Sequence, residues 1–261
     1  MEEPPQIQET QAPPSAPAKT SIAARLLNVF AVPGEVFEEV RTSLFSASNW
    51  VLPLCLSILV GAVSAVVIFS QPAILQQMRE QQAKALEQKI KSGQITQAQA
   101  DQYSAVTEKF TTPGFMKIFG AVGACMVCTV RMFWWAFVLF LLAKWFLKSP
   151  IGYLKALEIA GLAMMITVLG DLVKLLMIVN LAKIFASPSL ALVINDFDAT
   201  RKSHLMMGAI NVFAFWFIGV ISAGLARLAG VPFLRAAFIV FAYWLFQETV
   251  FILSPMGQFA L

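Results

Sequence analysis

Five apolar tracts divide this chain, at about 50–70, 118–143, 156–182, 206–226 and 236–253. The first lies in the interval between Arg41 and Arg79, where no side chain is charged. About 20 apolar residues at ~1.5 Å each match a ~30 Å hydrocarbon core, so each tract is long enough to span or nearly span a bilayer. In hydrocarbon an open sheet edge leaves backbone groups unsatisfied, so the tracts predict helices. The fold class expected is all-α: a polytopic membrane protein with five transmembrane helices.

The polar intervals carry their own periodicity. Residues 1–20 hold Pro4, Pro5, Pro13, Pro14 and Pro17 among Glu, Gln and Ser, a composition that predicts a disordered tail. Within 21–48, Ile22, Leu26, Leu27 and Phe30 lie at helical spacing, with Arg25 and Asn28 off that face. A second helix is expected to start at Pro33, with Val36, Phe37, Val40 and Leu44 along one side. Both read as amphipathic helices lying at the membrane interface. Residues 49–255 then form the membrane domain, with an extramembrane helical hairpin at 71–117. Its first helix runs from about 73 to 91 and closes at Ser92-Gly93. Its second opens on a capping box, Thr96 with Gln99, and ends near Phe110.

Composition sharpens this picture. The 261 residues are 58% hydrophobic and 13% charged, too few charges to cover a soluble protein of this size. The net charge of +4 is spread over connecting segments, which suits anionic headgroups and not a nucleic-acid surface. Basic residues do not by themselves decide the orientation. The short turns at 144–155 and 227–235 carry bases close to span ends and no acidic residue, which favours those turns, and the N-terminus, on the cytoplasmic side.

The order of these pieces resembles the YIP domain family, the Ypt/Rab-interacting type of five-span membrane protein. The resemblance is carried by Phe30-Ala31-Val32-Pro33-Gly34-Glu35-Val36-Phe37, by Asn49-Trp50-Val51-Leu52-Pro53-Leu54, and by Phe215-Trp216-Phe217 followed by Gly224-Leu225. It covers roughly 25–255 and implies five spans, a cytoplasmic N-terminus and no catalytic residues. The short tail and the Gln-rich hairpin are similar to the bacterial branch, which implies a bacterial inner membrane and excludes a Rab partner.

Charges inside a bilayer cost ~2.5–3.5 kcal/mol each on insertion scales, so each asks for a partner or a task. Counted from the nearest cytoplasmic base, Arg131, Asp171, Asn211 and Glu248 fall at similar heights, and Lys174 follows Asp171 by one turn. Arg131 with Glu248 is the best-matched ion pair on this count, with Asp171 able to pair with Lys174. The cluster either fixes helix packing or forms a polar site for a proton, ion or headgroup. Small residues recur every four positions at Ser222, Ala226 and Gly230, at Gly219 and Ala223, and at Gly120 and Ala124. That spacing permits close helix approach, within one bundle or between copies or other membrane proteins.

Enzymatic readings find little support. Cys125 and Cys128 sit three apart in a span with no second pair or histidine nearby, and His204 lies in a link beside Arg201 and Lys202. No metal, cofactor or catalytic residue is expected. The sequence therefore predicts a non-enzymatic membrane-organising or partner-binding protein. The alternative is a small permease or ion- or proton-linked carrier using the charged cluster.

Overall fold

The computed structural model describes residues 20–195 and 197–254, the side chains at 108 and 109 excepted. The tail expected to be disordered lies, but for Thr20, outside the described residues.

Two short helices open the chain, α1 (Ile22–Ala31) and α2 (Pro33–Thr42). Ser21 caps α1, its hydroxyl accepting from the Ala24 N–H, and Pro33 occupies the first turn of α2. The apolar face of α2 turns toward protein. Val36, Phe37 and Val40 are buried against α7 (Tyr153–Leu181) and α9 (Val212–Ala229). Leu44 lies beyond the end of the helix and is exposed. On α1 the pattern differs from expectation: Leu27 is exposed while Arg25 is buried, because Arg25 finds polar partners inside the bundle.

Among the described residues, five helices are long and apolar enough to cross a membrane: α3 (Ser48–Ile68), α6 (Pro113–Trp145), α7, α9 and α10 (Phe233–Leu253). The fourth begins at Val212 and not near 206. A separate short helix, α8 (Lys202–Ala209), precedes it, and the chain bends at Ile210 and Asn211. Asn211 pairs with Ser189 in an isolated bridge and caps α9, its side-chain oxygen accepting from Phe213 N–H at 2.8 Å.

Lipid tails are as apolar as leucine, so burial alone does not drive these helices together; close packing does. Helix α3 lies against α6 and α7, α7 against α9, and α9 against α10. A Cβ built on Gly161 would stand 2.4 Å from the Trp50 backbone, so only glycine lets α7 touch α3 there. Gly61 meets Ala124 in the same way at 2.8 Å, and Gly120 faces Ala65 and Phe69. The core these contacts enclose includes Met132, Leu139, Ile159, Leu162, Ile166, Ile221 and Leu225. The outward faces stay apolar, as Phe119, Val130, Phe238 and Phe246 show, because their solvent is lipid.

The other expected small-residue stripe divides. Ser222 and Ala226 are buried, but Gly219 faces open space, and Gly230 is the left-handed cap of α9, with φ 66°.

Helices α4 (Pro72–Lys91) and α5 (Gln97–Phe110) form a hairpin with left-handed Gly93 at its turn. The reciprocal capping bonds are present: Thr96 N–H donates to Gln99 Oε1 at 2.9 Å, and Gln99 N–H donates to Thr96 Oγ1 at 3.3 Å. Glutamines fasten α4 to the loop after α7. Gln77 donates to the Ala182 carbonyl and accepts from Ile184 N–H, and Gln88 donates to Thr200.

Candidate functional site

At the end of the bundle carrying the chain's N-terminal helices, a chain of polar contacts joins four helices. Glu158, fully buried one turn into α7, accepts from the Asn49 side-chain nitrogen at 2.7 Å and from the Ser46 N–H at 2.9 Å. Asn49 in turn accepts from Arg25 Nη1 at 3.3 Å, and Arg25 Nη2 reaches Glu39 at 2.6 Å. Lys155 stands 2.8 Å from Glu158 and also donates to the Val40 and Ser43 carbonyls, where a cation suits the C-terminal end of α2. The Arg25 hydrogen bond holds the Glu39 carboxyl below its ordinary range, against the opposing effect of burial. These residues fasten α1 and α2 to the bundle. Glu158 escaped the sequence reading, although a glutamate three residues after a lysine inside an apolar tract was the available signal.

Toward the opposite end lies a cavity of about 320 Å³ between α6, α7, α9 and α10. All five residues of the expected cluster, Arg131, Asp171, Lys174, Asn211 and Glu248, line it. The pairing within it differs from expectation. Arg131 Nη2 stands 3.6 Å from Asp171 and donates to Thr167 Oγ1 at 3.1 Å, while Glu248 is not its partner. Height along the helices was matched, but α6 lies along α7 and meets α10 only sparsely, so lateral position chose Asp171. Among the described residues, neither Lys174 nor Glu248 forms an ion pair, and both line the cavity.

Sequence reasoning also missed Thr167 and Gln247. Thr167 lies four residues before Asp171, hence on the same face of α7. Its hydroxyl donates to the Met164 carbonyl at 2.8 Å, leaving a lone pair for Arg131. Gln247, also on the cavity wall, accepts from the Trp134 indole at 3.2 Å.

The remaining candidates have local tasks. Cys128 is buried near Gly61, whereas Cys125 and Cys55 are exposed, and all three are free. His204 Nδ1 accepts from the Asp198 N–H at 3.0 Å, and its ring lies against Phe197. Asp198 is itself partly buried, which raises its pKa, but hydrogen bonds from Thr200 and the charge of Arg201 bring it below the ordinary value. Among the described residues, no group of three or more His, Cys, Asp or Glu side chains is gathered to hold a metal.

Among the described residues, ten α-helices, five of membrane length, with buried charges joined across helices, define an all-α, multi-pass integral membrane protein. The Yip1 domain matches residues 27–254, nearly all of that bundle, and the chain belongs to this family. No curated relative and no solved structure matches it.

Proposed function

We propose that this Yip1-domain protein is a non-enzymatic membrane organiser that binds a protein partner, with its N-terminus in the cytoplasm of a bacterial cell and the α4–α5 hairpin outside the inner membrane. One observation carries the reading. Helix α5 packs mainly on α4 and contributes little to the bundle core, yet it presents Tyr103, Val106 and Phe110 outward. The hairpin helices are too polar to be lipid-facing spans, so an outward apolar row there suits another protein surface. Of the charges outside the cavity, Arg25, Glu39, Lys155 and Glu158 serve to fasten helices to one another.

A photo-crosslinking residue at Tyr103 in native membranes is expected to capture a discrete membrane-protein partner or a second copy, with capture abolished by Val106→Asp. The same probe at Phe238, on the lipid face, is expected to capture none. Capture that survives Val106→Asp would defeat the reading. Orientation is checked separately with a membrane-impermeant thiol reagent. Ala85→Cys should react from outside and Val231→Cys only after the cytoplasmic face is opened.

The cavity supports a second reading, an ion- or proton-linked carrier. That reading requires flux in proteoliposomes that disappears with Asp171→Asn or Glu248→Gln. The organiser reading requires none.

A further inference from the structure

The cavity between α6, α7, α9 and α10 has a charge arrangement that structural pairing does not use up. Arg131 and Asp171 neutralise each other across α6 and α7. Lys174 and Glu248 remain, one of each sign, on different helices, with no oppositely charged side chain bonded to either among the described residues. Two separated charges of opposite sign in a site of zero net charge suit a ligand carrying both signs. A simple anion or cation would leave one of the two uncompensated in a low-dielectric surrounding.

Depth narrows the class. Lys174 lies about seven residues, or ~10 Å, short of the α7 end at Leu181, and Glu248 about five residues, or ~8 Å, short of the α10 end at Leu253. Asn211 caps the start of α9 at the same end. The cavity therefore sits where the hydrocarbon of that leaflet gives way to headgroups. About 320 Å³ is room for a headgroup and not for a whole lipid.

We propose that the cavity binds the headgroup of a phospholipid bearing a phosphate and a primary amine, from the leaflet on the α4–α5 side. Lys174 takes the phosphate and Glu248 the ammonium. A primary amine fits better than a quaternary one because a carboxylate gains hydrogen bonds from N–H donors. The aromatic side chains of the wall do not offer a cage for a quaternary group: Trp135 is already against Phe217 and Tyr243, and Trp244 against Phe215 and Phe241. The inference needs only that the chain spans the membrane, and it stands or falls separately from the protein partner.

The test is native mass spectrometry of the delipidated full-length protein, titrated with phosphatidylethanolamine, phosphatidylcholine or phosphatidylglycerol of identical chains. The wild-type protein is expected to retain phosphatidylethanolamine about tenfold better than either of the others, the effect of one charge-assisted contact. Glu248→Gln should erase the preference over phosphatidylglycerol, and Lys174→Gln should weaken retention of all three lipids about tenfold. Glycerophosphoethanolamine, the same headgroup without acyl chains, should displace the lipid only at far higher concentration. Displacement at matching concentration would assign the site to a soluble zwitterion and overturn the lipid assignment. Equal retention of the three lipids by the wild-type protein would overturn the site itself, and that measurement needs no variant to fold.

Discussion

Asn49 stands between two opposite charges: its side-chain nitrogen donates to Glu158 at 2.7 Å while its oxygen accepts from Arg25 at 3.3 Å. An amide suits both tasks, since it carries a donor and an acceptor on separate atoms of one planar group. A carboxylate at this position would repel Glu158, and an apolar residue would remove one hydrogen bond from each neighbour. The contact joins the start of α3 to α1 and α7, and it explains why a fully buried glutamate is tolerated at the bundle end.

Removing either end of that contact should be costly. Glu158→Ala leaves Lys155 and Asn49 without their buried acceptor, and about 3 kcal/mol of stability should be lost. Asn49→Ala should cost about 1–3 kcal/mol, the desolvation of the groups it leaves unbonded. Thermal unfolding in detergent measures both. Cleavage by added protease near Val32, in the junction between α1 and α2, should also accelerate in each variant.

Acid should loosen the same region through Glu39. Its folded pKa lies below the unfolded one because Arg25 bonds the ionised form. The contribution is therefore complete above the ordinary glutamate range, near ~4.3, and is lost as pH falls through the lower folded value. Comparing melting temperatures of the wild-type protein and Glu39→Gln from pH 6 to pH 3, the difference should be largest at pH 6 and shrink toward pH 3. A constant difference would show that the ion pair does not contribute.

Two glycine substitutions should part ways. Gly161→Ala places a methyl against the Trp50 backbone, which cannot move aside, and should cost ~2 kcal/mol or more. Gly219→Ala meets nothing within 4 Å and should change stability by no more than about 0.5 kcal/mol. Similar losses at the two sites would mean that helix spacing at Gly161 is not what glycine supplies.

The pairing inside the cavity is open to a double-mutant cycle. Arg131 and Asp171, partly exposed and 3.6 Å apart, should couple by about 0.5 kcal/mol. Arg131 and Glu248 should be additive within error. The opposite result would restore the pairing expected from helix height alone.

Much of this architecture is legible in the amino-acid sequence. Apolar run length gave the five membrane-length helices, and Thr96 with Gln99 and Gly93 gave the hairpin's cap and turn. Counting residues from the bases that flank each span drew Arg131, Asp171, Asn211 and Glu248 to one level, and they line one cavity. Height is a one-dimensional quantity that rise per residue supplies. Azimuth is not, and so the partner of Arg131 was misread. Arg25 was misplaced for a related reason: a hydrophobic stripe assigns arginine to water, but Glu39 and Asn49 draw it inward. The break before α9 depended on Asn211 pairing with Ser189, a contact between loops that periodicity does not register.

Asn49 and Glu158 are 109 residues apart in the chain, and that separation imposes an order on biosynthesis. When α3 leaves the ribosome, its amide has no acceptor, and the glutamate that completes the contact emerges only after two further spans have begun. The two leading helices therefore cannot seat fully until the third span and, for α2, the fourth span have been made. A chain stalled before that point would display the apolar edge of Phe37 and Val40, which is the kind of surface that quality-control proteases recognise.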